Sequence, residues 1–157
     1  MKQIILITLV IIIAVLGIAG FIFSNKQQKT VVSEELMSMP VTVYRDPNCG
    51  CCGAYANYLR NYGLAVTVED AGDMGAIKEK YNVPRDLQSC HTVIIGDRVI
   101  EGHVPIAAVE AMFERDVSAI ALPGMLAGSP GMSGVQREAF AIYSFGGEVA
   151  PTLLGKF

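Results

Sequence analysis

The stretch Val41–Gly63, VTVYRDPNCGCCGAYANYLRNYG, carries two periodicities separated by a cysteine cluster. Val41–Arg45 alternates apolar and polar residues and is rich in β-branched side chains, the pattern of a strand. Tyr55, Tyr58, Leu59 and Tyr62 then recur at i, i+3, i+4 and i+7, one face of a helix that Gly63 would close. Cys49, Cys51 and Cys52 stand where the strand gives way to the helix. They are three of only 4 cysteines in 157 residues. A disulfide joins two sulfurs at defined geometry, so three crowded thiols cannot all be paired with one another, and the surplus thiol points to chemistry.

Downstream the pattern continues as a compact α/β domain. LAVTVE (Leu64–Glu69) reads as a second strand, and Asp73 as the N-cap of a short helix running to about Tyr81 and stopped before Pro84. TVIIG and RVIEG (Thr92–Gly96 and Arg98–Gly102), split at Gly96-Asp97, read as a hairpin. Pro105–Arg115 reads as a helix with proline in its first turn. The expected order is β-α-β-α-β-β-α. From about residue 119 an extension follows. LPGMLAGSPGM repeats a P-G-M unit at Pro123–Met125 and Pro130–Met132 and is too rich in glycine and proline for a helix or a central strand. Ala139–Phe145, Gly146-Gly147 and EVAPTLL are expected to form a terminal hairpin covering the sheet.

Upstream, Ile4–Phe23 is an uncharged apolar run about as long as the roughly 20 residues that cross a hydrocarbon core as a helix. It exceeds the ~7–15 residues of a signal's apolar region, so residues 1–23 are expected to be an uncleaved single-pass anchor and 24–39 a tether to the domain at 40–157. Lys2 with the amino terminus faces Lys26 and Lys29, so the flanking charges nearly balance, and the domain is expected outside the cytoplasmic membrane. Without Lys2, Lys26 and Lys29, 9 of the 12 basic residues remain against all 15 acidic ones, a net charge of −6. Such a domain, with no basic cluster, is a poor nucleic-acid binder. No phosphate-binding loop, G-x-S-x-G element or H-E-x-x-H motif occurs, which leaves hydrolase and kinase readings without support.

The element order, with cysteines between first strand and first helix, resembles the thioredoxin/glutaredoxin fold, and Cys49 and Cys52 have that family's C-x-x-C spacing. The resemblance implies a loop beside the cysteines just before the third strand, where the family has a cis-proline and this chain has Cys90-His91. The set DPNCGCC, SCHT, EGHVP and PGM…GSPGM, spanning roughly Val41–Met132, resembles the bacterial family of predicted metal-binding proteins classified as domain of unknown function four-eleven. That family is thioredoxin-like and associated with copper and heavy-metal handling. The resemblance implies a metal-related role.

Thiolate is the form of cysteine that binds metal or attacks, and a helix N-terminus favours it. Thiolates with imidazole suit Cu(I) or zinc, and thioether sulfur suits Cu(I) in particular. The expected ligands are Cys49, Cys51, Cys52, Cys90 and His91, with His103, Met125 and Met132 as weaker candidates. Cu(I) is preferred, zinc being the second candidate, for resistance or for delivery to a copper-handling protein. Blander readings stand beside these: Cys90 as a small buried hydrophobe, His103 as a packing residue, the methionines as gap fillers. The alternative function is an anchored thiol–disulfide oxidoreductase in which Cys49 attacks, Cys52 resolves and Cys90 is a further exchange partner.

Overall fold

A parallel strand pair cannot be joined by a tight turn, so the helix between the first two strands decides the architecture. The computed structural model describes residues 33–147 and 150–157. In it a short helix α1 (Glu34–Ser38) leads into β1 (Pro40–Arg45), α2 (Gly50–Asn61) and β2 (Ala65–Asp70). Then come α3 (Met74–Lys80), a 3-10 turn at Arg85–Leu87, β3 (His91–Ile95), β4 (Arg98–Glu101) and α4 (Ile106–Glu114). β5 (Ala119–Ala121), β6 (Ala141–Ser144) and β7 (Thr152–Lys156) complete a seven-stranded sheet in the order β2-β1-β3-β4-β5-β6-β7. The architecture is mixed α/β, with four helices among the described residues.

Strand β1 pairs parallel with β2 across the α2 crossover and antiparallel with β3 on its other side. β3 and β4 form the expected hairpin, and β4 pairs parallel with β5 across the α4 crossover. α2 buries Tyr55, Ala56 and Leu59, and α4 buries Val109 and Met112; both belong to one core with Val41, Val43, Val93, Ile95 and Ile100 of the sheet. Each fully buried aliphatic side chain of this set contributes roughly 1.5–3 kcal/mol of transfer free energy. Asp73 caps α3 as expected, its carboxylate accepting the Ala76 N–H at 3.1 Å.

Four expectations are adjusted. The stretch read as tether ends in α1, where the Ser33 hydroxyl accepts the Leu36 N–H at 3.3 Å and Leu36 is fully buried. Strand β2 starts one residue later than read, and α4 starts at Ile106 because Pro105 keeps an extended ψ of 147° as its N-cap. The terminal hairpin does not cover the sheet but extends it: Ile120 and Ala121 of β5 pair with Ser144 and Tyr143 of β6. The anchor expected at 1–23 and the tether up to residue 32 lie outside the described residues. Among those described, no helix is long and apolar enough to cross a membrane.

The two edge strands have arginines on their backbone. Arg60 donates to the Val66 carbonyl of β2 at 3.0 Å, and Arg115 to the Leu154 carbonyl of β7 at 2.7 Å.

Candidate metal centre

β1 and α2 deliver the sulfur side of the centre. Cys49 is the N-cap of α2, Gly50 opens the helix, and Cys51 and Cys52 lie in its first turn. Cys49 and Cys52 are joined as a disulfide, while Cys51 and Cys90 are free. Cys49 Sγ and Cys51 Sγ are 3.5 Å apart, and Cys51 Sγ is 3.9 Å from Cys90 Sγ. The thiol left over by the pairing therefore faces the one cysteine that comes from elsewhere in the chain.

β3 and β4 deliver the imidazole side. Cys90 immediately precedes β3, His91 opens it, and His103 follows β4. Cys90 Sγ is 2.9 Å from His103 Nε2 and 3.7 Å from His91 Nδ1. Both histidines are fully buried. His103 Nδ1 lies 2.7 Å from the Pro130 carbonyl, which can only accept, so Nδ1 carries the proton and Nε2 keeps its lone pair toward Cys90. His91 Nε2 has no hydrogen-bond partner although it is buried. An unpaired buried polar atom is costly.

Two groups of potential ligands result, Cys49/Cys51/Cys52/Cys90 and Cys90/His91/His103, and within each group the ligand atoms lie within 4.8 Å of one another. Cys90 belongs to both. In the disulfide state Cys49 and Cys52 have no thiolate to offer, so a four-sulfur group requires their reduction with two electrons and two protons.

Burial sets the protonation states. It pushes the Cys90 thiol up to about 11, with the nearby Cys51 adding to the shift. It holds His91 well below the ordinary imidazole range, assisted by the nearby His103 and by the Lys78 charge. It lowers His103 as well, against the opposing hydrogen bond to Pro130. The histidines are accordingly neutral and ready to ligate at neutral pH, whereas Cys90 must surrender a proton to do so.

Tyr55 walls the centre from below, its ring 4.5 Å from that of His91 and 5.6 Å from that of His103, with its hydroxyl donating to the Val104 carbonyl at 2.8 Å. The two P-G-M turns close in through their backbones. The Gly124 carbonyl accepts the Ser89 hydroxyl at 2.6 Å. Gly131 has a φ of +80°, and a Cβ there would stand 2.7 Å from the Tyr55 nitrogen and 2.9 Å from the Cys51 carbonyl. No other residue lets that turn lie so close on α2. Met132 is half-buried and Met125 is 62% exposed.

The sequence reading treated His103 as a weaker candidate, yet its nitrogen is the nearest to Cys90. A signal for it existed. Partners in a hairpin with a two-residue turn are equidistant from that turn, and Cys90 and His103 are equidistant from Gly96-Asp97, one step beyond the observed Thr92–Glu101 pairing and its neighbour. Tyr55 was read as a core position only, and Pro130 as a turn former.

Fold and site together define a mixed α/β protein with a thiol- and imidazole-rich centre at the N-terminus of α2. The chain belongs to the family described as "Protein of unknown function, DUF411", whose profile matches residues 87–132. That segment contains Cys90, His91 and His103 but not the cysteines of α2. Two solved structures extend the likeness over 76% of this chain. Both are 36% identical: "Copper resistance protein copG", form 2, of which 98% is covered at a TM-score of 0.71, and form 1, of which 97% is covered at 0.70. No curated protein matches.

Proposed function

We propose that this protein captures Cu(I) as cargo and holds it between the first turn of α2 and the Cys90–His91 corner, for resistance or for transfer to a copper-handling partner. The observation that carries the proposal is the sharing of Cys90 between a sulfur group and an imidazole group, within each of which the ligand atoms lie within 4.8 Å of one another. Thiolate with neutral imidazole is a soft donor set that fits Cu(I), and the copper resistance proteins that resemble the chain support the same metal. Zinc is the second candidate, since a Cys/His set also suits it. In the reduced protein Cys49, Cys51, Cys52 and Cys90 supply sulfur, and His103 Nε2 and His91 supply nitrogen. Met125 and Met132, on the two turns whose backbones contact Ser89 and α2, are the candidate thioether donors. The domain has a thioredoxin-like arrangement over β1 to α4 and is held outside the cytoplasmic membrane by the apolar run at 4–23.

Metal analysis of protein purified under reducing, anaerobic conditions tests this reading, with copper as the expected content. Cys51→Ser then separates ligand from redox roles. Cys51 is dispensable to a C-x-x-C exchange pair, but a hydroxyl is a poor substitute for a thiolate on Cu(I). We expect Cu(I) affinity to fall about tenfold or more and the disulfide reductase rate to be negligible in wild type and variant alike. Unchanged affinity with a substantial reductase rate would overturn the proposal.

A further inference from the structure

Lys78 and Glu101 form an ion pair inside the protein, Nζ to Oε1 at 2.5 Å, with side chains 7% and 0% exposed. Desolvating two charges is expensive, and apolar residues of similar volume often serve stability as well or better. The other contacts of the carboxylate show what stability alone does not explain. Oε1 also accepts the backbone N–H of Ser89 at 2.6 Å, and Oε2 accepts the Thr92 hydroxyl at 2.7 Å. Ser89 immediately precedes Cys90, and Thr92 immediately follows His91. One carboxylate therefore grips both flanks of the Cys90–His91 dipeptide.

On the Ser89 side that grip acts where the sheet does not, whereas His91 is also paired with Arg45 of β1. Ser89 and Cys90 lie before the first residue of β3, beyond the Thr92–Glu101 rung that is the last in its ladder with β4. Packing reinforces the hold: a Cβ on Gly102 would stand 2.7 Å from the Ser89 side chain, and the Gly102 N–H donates to the His91 carbonyl at 3.0 Å. Metal ligands need placement to within roughly 0.5 Å, and Cys90 is the atom both ligand groups share.

We infer that Glu101, with Lys78 as its buried counter-charge, is the positioning residue of the centre, fixing Cys90 and His91 without touching the metal. The inference rests on the Cu(I) reading above. Its test compares full-length wild type with K78M/E101L, which removes the grip and leaves no unpaired charge. Three quantities are read: thermal unfolding, Cu(I) affinity of the reduced protein by competition with a chromophoric chelator, and iodoacetamide alkylation of Cys90 and Cys51 in metal-free protein by mass spectrometry.

The unfolding midpoint should fall by only a few degrees, because removing the desolvated pair offsets the loss of acceptor for the Ser89 N–H and the Thr92 hydroxyl, while Cu(I) affinity falls about 10–100-fold. Cys90 alkylation should change by about threefold or more with Cys51 constant within about twofold, because a local release moves one thiol and a global loosening moves both. In a Cys90→Ser background the same pair of substitutions should cost clearly less affinity than in wild type, since only the hold on His91 is left to lose. Should K78M/E101L fail to fold, the isosteric E101Q is read by the same assays and is expected to move both in the same direction. A folded variant with unchanged affinity and unchanged Cys90 reactivity overturns the inference. Wild type without Cu(I) affinity would overturn the functional reading instead, and the alkylation contrast would still decide for or against Glu101.

Discussion

Cys49, Cys51 and Cys52 come from four consecutive positions at one helix end, whereas Cys90, His91 and His103 come from two strands and are steadied by groups as distant in sequence as Pro130 and Tyr55. The sulfur side is local and redox-variable: two of its three thiols are tied to each other, and reduction alone would free them. The imidazole side is assembled by the sheet and buried, and the tautomer of His103 is fixed by a backbone carbonyl. A site with one half set by redox state and the other set by the fold can change ligand number while keeping its location.

Cys90 is where the two halves meet, so Cys90→Ser should have the largest effect. Cu(I) affinity of the reduced protein should fall by more than about a hundredfold, beyond what outer-shell changes produce, in a chelator competition assay. A loss of less than about threefold would mean that the halves bind independently. Gly131→Ala strikes the covering turn, where an added Cβ meets the α2 backbone at Cys51 and Tyr55 and φ is positive. Destabilisation of about 2 kcal/mol is expected by urea unfolding, and an unaltered midpoint would show that the turn is not seated on α2 in solution.

A smaller effect concerns the proton held by Cys90. Ordinary thiols are largely ionised by about pH 9, whereas Cys90, pushed up to about 11, still holds its proton. Between about pH 9 and 10 the Cu(I) affinity of wild type should therefore continue to rise about tenfold per unit, and Cys90→Ser should remove that slope. A slope that survives the substitution assigns the proton elsewhere.

The smallest effect concerns stability in acid. His91 and His103 titrate below the ordinary value of 6.5 when folded, so the unfolded chain binds protons first. The stability they contribute is complete above 6.5 and lost as pH falls from there through their folded values. A His91→Gln/His103→Gln variant should show less acid destabilisation than wild type in that window by thermal unfolding. Equal losses would mean that neither imidazole is buried neutral.

Legibility in the sequence follows the same division. The alternation of Val41–Arg45, the tyrosine and leucine spacing of α2, the Asp73 cap and the Gly96-Asp97 turn are local signals, and each falls on the element it indicates. Helix α1 has five residues, too few for a period, and β5 has three, all buried, so no alternation marks it. The terminal hairpin was readable as a hairpin, but whether it lay over the sheet or beside it depended on that unread strand. The cysteine cluster was plain because it is contiguous. His103, Tyr55 and the Lys78–Glu101 pair acquire their roles only through strand register and helix packing, which connect positions that no short window contains.

The arginines on β2 and β7 bear on a different hazard. A sheet closed at neither end presents rows of free amide and carbonyl groups to any other extended chain, and such edges are templates for runaway stacking between molecules. Arg60 and Arg115 each occupy an edge carbonyl and place a charge beside it. A foreign strand docking there would have to displace a guanidinium and bury its charge, so these two side chains help seven strands remain a sheet of one molecule.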